Sequence, residues 1–287
     1  MNEMRNIIYD VAVIGNGLAG MSAAFFAGSK SDKVLMISKG KLGGYVANLT
    51  VVEGLPSVRN WSGKDVISKL EKQIDELGCV DEAKSEAKLV RLSNRMYEIF
   101  LEDGRKALSK SVIIAAGASP RKVSRDASEF KGKAAVVVGS DELAASLALS
   151  LSERCDNVYV VSKAQSLSCS DKLSSKVEKS KKIQVLPSCS IAKAAMNADK
   201  SVKSVELSTS DVIACDGLFF ADDYEPNTSS VQGVAALSQS GYVAKTTAPG
   251  LYAIGSCRAD HESAAMAAEA EAYNAAISAV KYSKSLH

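Results

Sequence analysis

Ile7-Ile8-Tyr9-Asp10-Val11-Ala12-Val13-Ile14 runs directly into Gly15-Asn16-Gly17-Leu18-Ala19-Gly20. The first eight residues are an almost unbroken apolar run, the pattern of a strand covered on both faces. Small and apolar residues continue through Ala27, as a helix lying close on a sheet requires. Val34-Leu35-Met36-Ile37 then supplies a second buried strand. Strand, glycine turn, helix and strand together form the unit that binds dinucleotides. In this reading Gly15 permits the tight turn, Gly17 lets the backbone approach a pyrophosphate, and Gly20 lets helix and strand touch. The positive end of the helix faces the phosphates. The acidic residue that usually ends the second strand and holds the ribose hydroxyls is absent. Ser38 stands there, followed by Lys39.

Outward from this turn, Val137-Val138-Gly139-Ser140-Asp141 aligns with Val13-Ile14-Gly15-Asn16-Gly17, and Ala144 with Gly20. The weak repeat predicts two nucleotide-type subdomains. Val66, Ile67, Leu70, Ile74 and Leu77 mark a helix with one buried face, ending at Gly78. Tyr97–Leu101 and Ala107–Ile114 flank the hairpin-like turn Glu102-Asp103-Gly104. The Ser- and Lys-rich stretch 162–180 reads as a solvated loop or helix face. The alanine-rich tail from Ser263 to Tyr282 reads as a helix.

Composition excludes several function classes. The 287 residues carry 35 Lys and Arg against 33 Asp and Glu, a net charge of +2, which gives no reason to expect nucleic acid. No apolar run reaches the ~18 residues of a spanning helix, so no membrane is expected. Asn2, Glu3 and Asn6 precede a single short apolar strand, unlike a secretion signal, and the expected location is cytoplasmic. The six cysteines, at 79, 155, 169, 189, 215 and 257, include no pair three apart and form no metal spacing with His261 and His287. They read as reduced thiols, and no metal is expected.

Lys41-Leu42-Gly43-Gly44-Tyr45, Val52-Glu53-Gly54-Leu55-Pro56 and Trp61-Ser62-Gly63-Lys64-Asp65-Val66 resemble the low-molecular-weight thioredoxin reductase family of FAD proteins. So do Val112–Lys122, Tyr224-Glu225-Pro226-Asn227-Thr228, Gly241-Tyr242-Val243 and Pro249–Gly255. The motifs come in the family's order and cover nearly the whole chain. The resemblance implies an α/β fold of two Rossmann-like, three-layer nucleotide-binding domains, the second inserted into the first. The FAD domain would comprise 1–122 and 218–287, and a degenerate NADPH-type domain 123–217. One continuous α/β domain is the alternative. By the same resemblance FAD would be held by Gly15, Gly17, Leu18, Ala19, Gly20, Ser38, Lys39, Gly43, Gly44, Tyr45, Ala87, Ala115, Ala116, Gly117, Gly255 and Ser256. Tyr45 and Ser256 replace the family's glutamine and aspartate. Trp61 is expected in the core.

Three departures from the family bear on function. The segment that would carry the redox C-x-x-C is deleted: Ser124–Phe130 leads straight into Lys131-Gly132-Lys133. A pair assembled only in space, such as Cys169 with Cys189, is the alternative. The second turn carries Asp141 and Glu142 where a pyrophosphate would sit, and two carboxylates there stabilise an empty helix but repel phosphate. Ser162-Lys163-Ala164 offers one lysine where the family has arginines for a 2′-phosphate.

At the flavin end the C-terminal helix would begin at Ala259-Asp260-His261-Glu262, capped by Asp260. Its N-terminus would lie under the flavin, opposed by nearby Glu262. Cys257 and His261 are the candidate catalytic side chains. Their plain alternatives are a packed thiol and a partly exposed residue in the helix's first turn. The expected function is an FAD-dependent oxidoreductase passing electrons through flavin, without its own dithiol and without NADPH, to or from a protein partner. A homodimer is expected by the resemblance. A catalytically degenerate flavin- or nucleotide-binding paralogue, acting as a sensor or partner subunit, is the alternative function.

Overall fold

A computed structural model describes residues 7–49, 52, 55, 61–122, 130, 132–199, 201–262 and 264–286. Glu53, Gly54 and Pro56 of the Val52–Pro56 motif lie outside these residues, as do 123–129 and 131 of the shortened connection. The chain divides into two compact units, 1–118 with 225–287, and 119–224.

The first unit starts with β1 (Ile8–Ile14), α1 (Leu18–Gly28), β2 (Val34–Ile37), α2 (Gly63–Leu77), β3 (Val80–Ala83), β4 (Ala87–Ser93), β5 (Met96–Leu101) and β6 (Lys106–Ile114). The chain then forms β7 (Ala118–Lys122), β8 (Ala134–Val138), α3 (Glu142–Ser152), β9 (Asn157–Val161), α4 (Asp171–Lys179), β10 (Ile183–Leu186), β11 (Ile191–Met196), β12 (Val202–Leu207), β13 (Val212–Ala214) and β14 (Gly217–Pro226). It closes the first unit with β15 (Ala235–Leu237), β16 (Val243–Thr246), β17 (Leu251–Ala253) and α5 (Ala265–Lys284).

In the first unit one sheet runs β3-β2-β1-β6-β5-β4, with β17 also paired to β6. Strands β3, β2, β1, β6 and β17 are parallel neighbours, and β4 and β5 add an antiparallel edge. Strand alternation sorts the core. Val11, Val13, Met36 and Ile113 face the layer of α1, α2 and α5. Ala12, Ile14, Leu35, Ile37, Val112 and Ile114 face the opposite side, with Val231 and Ala235. Strand β1 is thus buried on both faces over residues 11–14, as the apolar run predicts, while Ile8 at its start is exposed. Helix α2 has the expected buried face and ends on Gly78 at φ +65°. Ser62 opens it with a capping box: its hydroxyl accepts from Asp65 N–H at 3.2 Å and Asp65 Oδ2 accepts from Ser62 N–H at 3.2 Å.

The second unit repeats the plan, with a sheet ordered β10-β9-β8-β14-β7. The helices contribute Ala144, Ala148 and Leu151 of α3 to one side of it, with Val137 and Val160. The antiparallel meander β11-β12-β13 covers the other side through Val202, Val205 and Leu207. Part of the Ser/Lys-rich stretch forms α4, anchored by Leu173 and Val177. Among the described residues, no helix is long and apolar enough to cross a membrane.

Candidate coenzyme site

The turn after β1 has room only for glycine at two places. A Cβ on Gly15, at φ +114°, would lie 2.0 Å from the Ala115 carbonyl oxygen, and one on Gly20 would lie 2.1 Å from that of Gly15. Strand, turn and helix therefore touch through bare backbone. Gly17 is different. It is the N-cap of α1, in extended backbone, and no described atom lies within 4 Å of where its Cβ would be. The first turn of α1, with buried Leu18 and half-buried Ala19, holds no acidic residue. An open space thus fronts a helix start whose N–H groups have no side-chain acceptor at the cap, which is what a diphosphate requires.

Other site residues meet this turn. Asn16 C=O accepts from Gly43 N–H at 2.8 Å, and the Asn16 side-chain amide donates to Gly40 C=O at 3.0 Å. Gly17 and Gly43 pair as an isolated parallel bridge, and a Cβ on Gly44 would stand 3.2 Å from Gly17 Cα. Tyr45 follows, exposed. A Cβ on Gly255 would lie 3.1 Å from that of Ala19, and one on Gly117 would lie 3.7 Å from Ser256 Oγ. Ala116 C=O accepts from the Asn227 side chain at 2.9 Å. Close approaches thus link Gly15 to Gly20 and Ala115, Gly17 to Gly43 and Gly44, Ala19 to Gly255, and Gly117 to Ser256.

Ser38, Lys39 and Ala87 form a second group. Ser38 N–H donates to Ala83 C=O at 3.0 Å, and its hydroxyl accepts from Gly40 N–H at 3.3 Å. Lys39 Nζ pairs with Glu102 and, at 3.8 Å, with Glu86. Ala87 is buried beside Glu86. Lys39 thus already faces two carboxylates, in exposed pairs of little energetic worth.

The second turn repeats three backbone contacts of the first. Gly139 N–H donates to Val161 C=O at 3.0 Å, as Gly15 N–H does to Ile37 C=O at 2.8 Å. Ser168 N–H donates to Ser140 C=O as Gly43 N–H does to Asn16 C=O. Asp141 and Ser168 form the matching isolated bridge. The difference is what stands at the helix start. Asp141 Oδ1 accepts from Ala144 N–H at 2.9 Å, and Glu142 accepts from Ser170 N–H at 2.9 Å and its hydroxyl at 3.3 Å. The Asp141 carboxylate occupies the start of α3, where the equivalent Gly17 leaves the start of α1 bare.

At the other end, the structure corrects the expected helix start. Helix α5 begins at Ala265, with Ala264 at its N-cap and no side-chain cap bond. Asp260 is not that cap. Its carboxylate grips Arg258 instead, with both oxygens 2.7 Å from Nη2. Local charge pairing two residues apart outcompetes capping of a more distant helix. His261 therefore lies outside the helix's first turn, and its side chain is only 8% exposed. Glu262 is exposed and precedes the helix, so the first turn of α5 has no acidic residue. Cys257 is fully buried, donating towards Ile254 C=O at 3.2 Å, and burial pushes its thiol up to about 11. It packs as the plain reading expects. All six cysteines are free. Trp61 is half-buried against the first core cluster, with Lys69 Nζ 4.3 Å above its ring.

Glu271 was not foreseen from the sequence. Its Oε2 accepts from Gly255 N–H at 2.6 Å, and its Oε1 lies 3.2 Å from His261 Nδ1 and 3.3 Å from Arg258 Nη1. In an alanine-rich helix that also holds Glu269, no spacing singles it out. A cleft of about 430 Å³ borders it, lined by Lys245, Arg258, Asn274 and Ser278 among others. None of the turn residues 15–20 lines this cleft. Among the described residues no group of three His, Cys, Asp or Glu could hold a metal.

The profile of a family described as pyridine nucleotide-disulphide oxidoreductase matches residues 9–272. The thioredoxin reductase of Borreliella burgdorferi is 25% identical, over 95% of this chain and 91% of its own. That of Peptoclostridium litorale is 25% identical over 99% of both. Of solved structures, Lactococcus lactis thioredoxin reductase in its FR conformation is similar with a TM-score of 0.76 at 24% identity, covering 96% of this chain and 99% of that one. The T. acidophilum thioredoxin reductase gives 0.75 at 23% identity, covering 98% and 99%. At that identity the structures speak to the fold.

Proposed function

This chain belongs to the pyridine nucleotide-disulphide oxidoreductase family, whose members are FAD flavoproteins, and from that premise we propose how it works. It binds FAD and passes electrons through the flavin to or from a protein partner, with no C-x-x-C dithiol and without NADPH. One observation carries the proposal: two turns share the same backbone bonds, but one has bare Gly17 and the other Asp141 bonded to its own helix. An anion is welcome at the first and opposed at the second. At ~4 Å and an effective dielectric of ~20, each like-charge contact costs up to ~4 kcal/mol, enough to abolish micromolar binding.

In this reading Gly15, Gly17 and Gly20 seat the diphosphate, with the N–H groups of Leu18 and Ala19 near it. Gly43, Gly44 and Tyr45 run beside the coenzyme, and Ala115, Ala116, Gly117, Gly255 and Ser256 close the cradle. Ser38, Lys39 and Ala87 lie at the adenosine end. When bound, the flavin supplies storage for two electrons. His261, its side chain packed against Glu271, is the candidate catalytic side chain in the loop that carries Ser256. The chain acts as a homodimer in the cytoplasm, where its free cysteines stay reduced.

The test is ligand identity and bleaching. Purified protein is denatured and the released compound weighed by mass spectrometry; FAD is expected at one per chain. The intact yellow protein should bleach with dithionite and not with NADPH. Bleaching by NADPH, or a second dinucleotide per chain, defeats the donor assignment.

A second reading is a nucleotide-binding partner subunit without turnover. The adenosine end favours it: the Ser38 hydroxyl already serves Gly40, and Lys39 already faces Glu86 and Glu102. Colourless protein that releases no flavin supports this second reading.

A further inference from the structure

Gly255 and Ser256 stand at the coenzyme in the reading above, yet they sit in a segment with little structure of its own. The chain makes one short 3₁₀ turn at Gly255–Cys257 and then runs irregularly to α5. A single side chain gathers it. Glu271 takes Gly255 N–H on one carboxylate oxygen at 2.6 Å. The other oxygen lies between Arg258 Nη1 at 3.3 Å and His261 Nδ1 at 3.2 Å. Three points spread along seven residues thus converge on one carboxylate, whose side chain is 19% exposed. Both oxygens are used, and a charged acceptor holds an N–H more strongly than a neutral one. Arg258 in turn holds Asp260, so the tie extends along the loop. Gly255 is also where the segment crosses α1, close to Ala19.

We propose that Glu271 is a positioning residue for the coenzyme. From α5 it sets the place of the 255–261 segment, so that Gly255 stands against the start of α1 and Ser256 stands beside Gly117. This rests on the flavin reading, but it assigns a role to a residue outside the turn motifs. Glu271 need not touch the coenzyme. Removing its charge leaves Gly255 N–H with a weaker acceptor and turns an amide NH₂ towards Arg258.

The experiment uses the full chain stripped of coenzyme and titrated with FAD, following flavin fluorescence and the visible absorption bands. Wild type is measured first. If it takes up no FAD, the flavin reading fails, and that failure is seen before any variant is made. With wild type binding, Glu271→Gln should bind FAD about tenfold more weakly, and Glu271→Ala more weakly still. The bound flavin's bands should shift in Glu271→Gln, while the coenzyme-free protein melts within a few degrees of wild type. An unchanged affinity and spectrum in Glu271→Gln overturns the proposal. So does a fall in the melting temperature of the coenzyme-free protein that accounts for the lost affinity, because Glu271 would then serve the fold alone. Glu271→Gln is nearly isosteric, so the test stands even if Glu271→Ala fails to fold.

Discussion

Gly17 and Asp141 occupy the same place in two equivalent turns, and a single exchange asks what that place does. Nothing described lies within 4 Å of a Cβ at Gly17, and its backbone is extended. Gly17→Asp should therefore fold normally and gain an N-cap, as Asp141 already provides for α3. FAD affinity should drop by about a hundredfold or more, because a carboxylate now meets the diphosphate. A flavin titration alongside a thermal melt checks both halves; lost affinity together with a lower melting temperature would contradict the electrostatic account. Cys257 gives a second prediction at this scale. With its thiol pushed up to about 11 by burial, only about one molecule in a thousand is thiolate at pH 8. Native protein treated with iodoacetamide at pH 8 should leave Cys257 unmodified, and denatured protein should label it, as read by peptide mass spectrometry. Rapid native labelling would restore Cys257 as a candidate nucleophile.

Helix starts make the next comparison. α2 opens with a full capping box at Ser62 and Asp65, so Ser62→Ala should cost ~0.5–2 kcal/mol of stability in a denaturant melt. α3 opens on Asp141, and replacing that cap with glycine should cost only a few tenths of a kcal/mol. Asp141→Gly with Glu142→Ala removes both carboxylates, the second at the further cost of its two bonds to Ser170. The double variant should show pyridine-nucleotide binding absent from wild type, measured by calorimetric titration with NADPH. No heat in the variant would mean that the missing arginines, not Asp141, close that turn. Contrasts of this kind were open to sequence reading where the rules are local. The β1 turn needs glycine at positions 15 and 20, and α2 announces itself by its apolar period and Gly78. The start of α5 was not, because Asp260 has two rival uses and only folding shows that Arg258 takes it. Glu271 was hidden for a related reason. Its partners Gly255, Arg258 and His261 lie 10 to 16 residues away, beyond any helical spacing. Ser38 and Lys39 stood out only as departures from a motif; that their polar groups already have intramolecular partners is a fact of tertiary structure.

At the scale of the molecule, two units with separate apolar cores should respond separately to ligand. The first unit's core wraps the sheet bearing β1 and the Gly15–Gly20 turn, and the second's wraps the sheet bearing β8. A ligand that binds only folded protein stabilises it by about 2.7 kcal/mol at one hundred times its Kd. For a unit of this size that is a rise of about 5–10 °C in melting temperature. FAD should therefore raise the transition assigned to the first unit and leave that of the second near its original temperature. NADPH should move neither. Calorimetry gives the transitions, and hydrogen exchange, comparing amides of β1 and β6 with those of β8 and β9, assigns each to its unit. Cooperative melting of the whole chain in one step would blur the separation, and the exchange rates then carry the test: FAD should slow exchange in the amides around Gly17 while leaving those around Asp141 unchanged. If NADPH protects the amides around Asp141, the capped turn is not closed to dinucleotides, and the electron donor must be sought there.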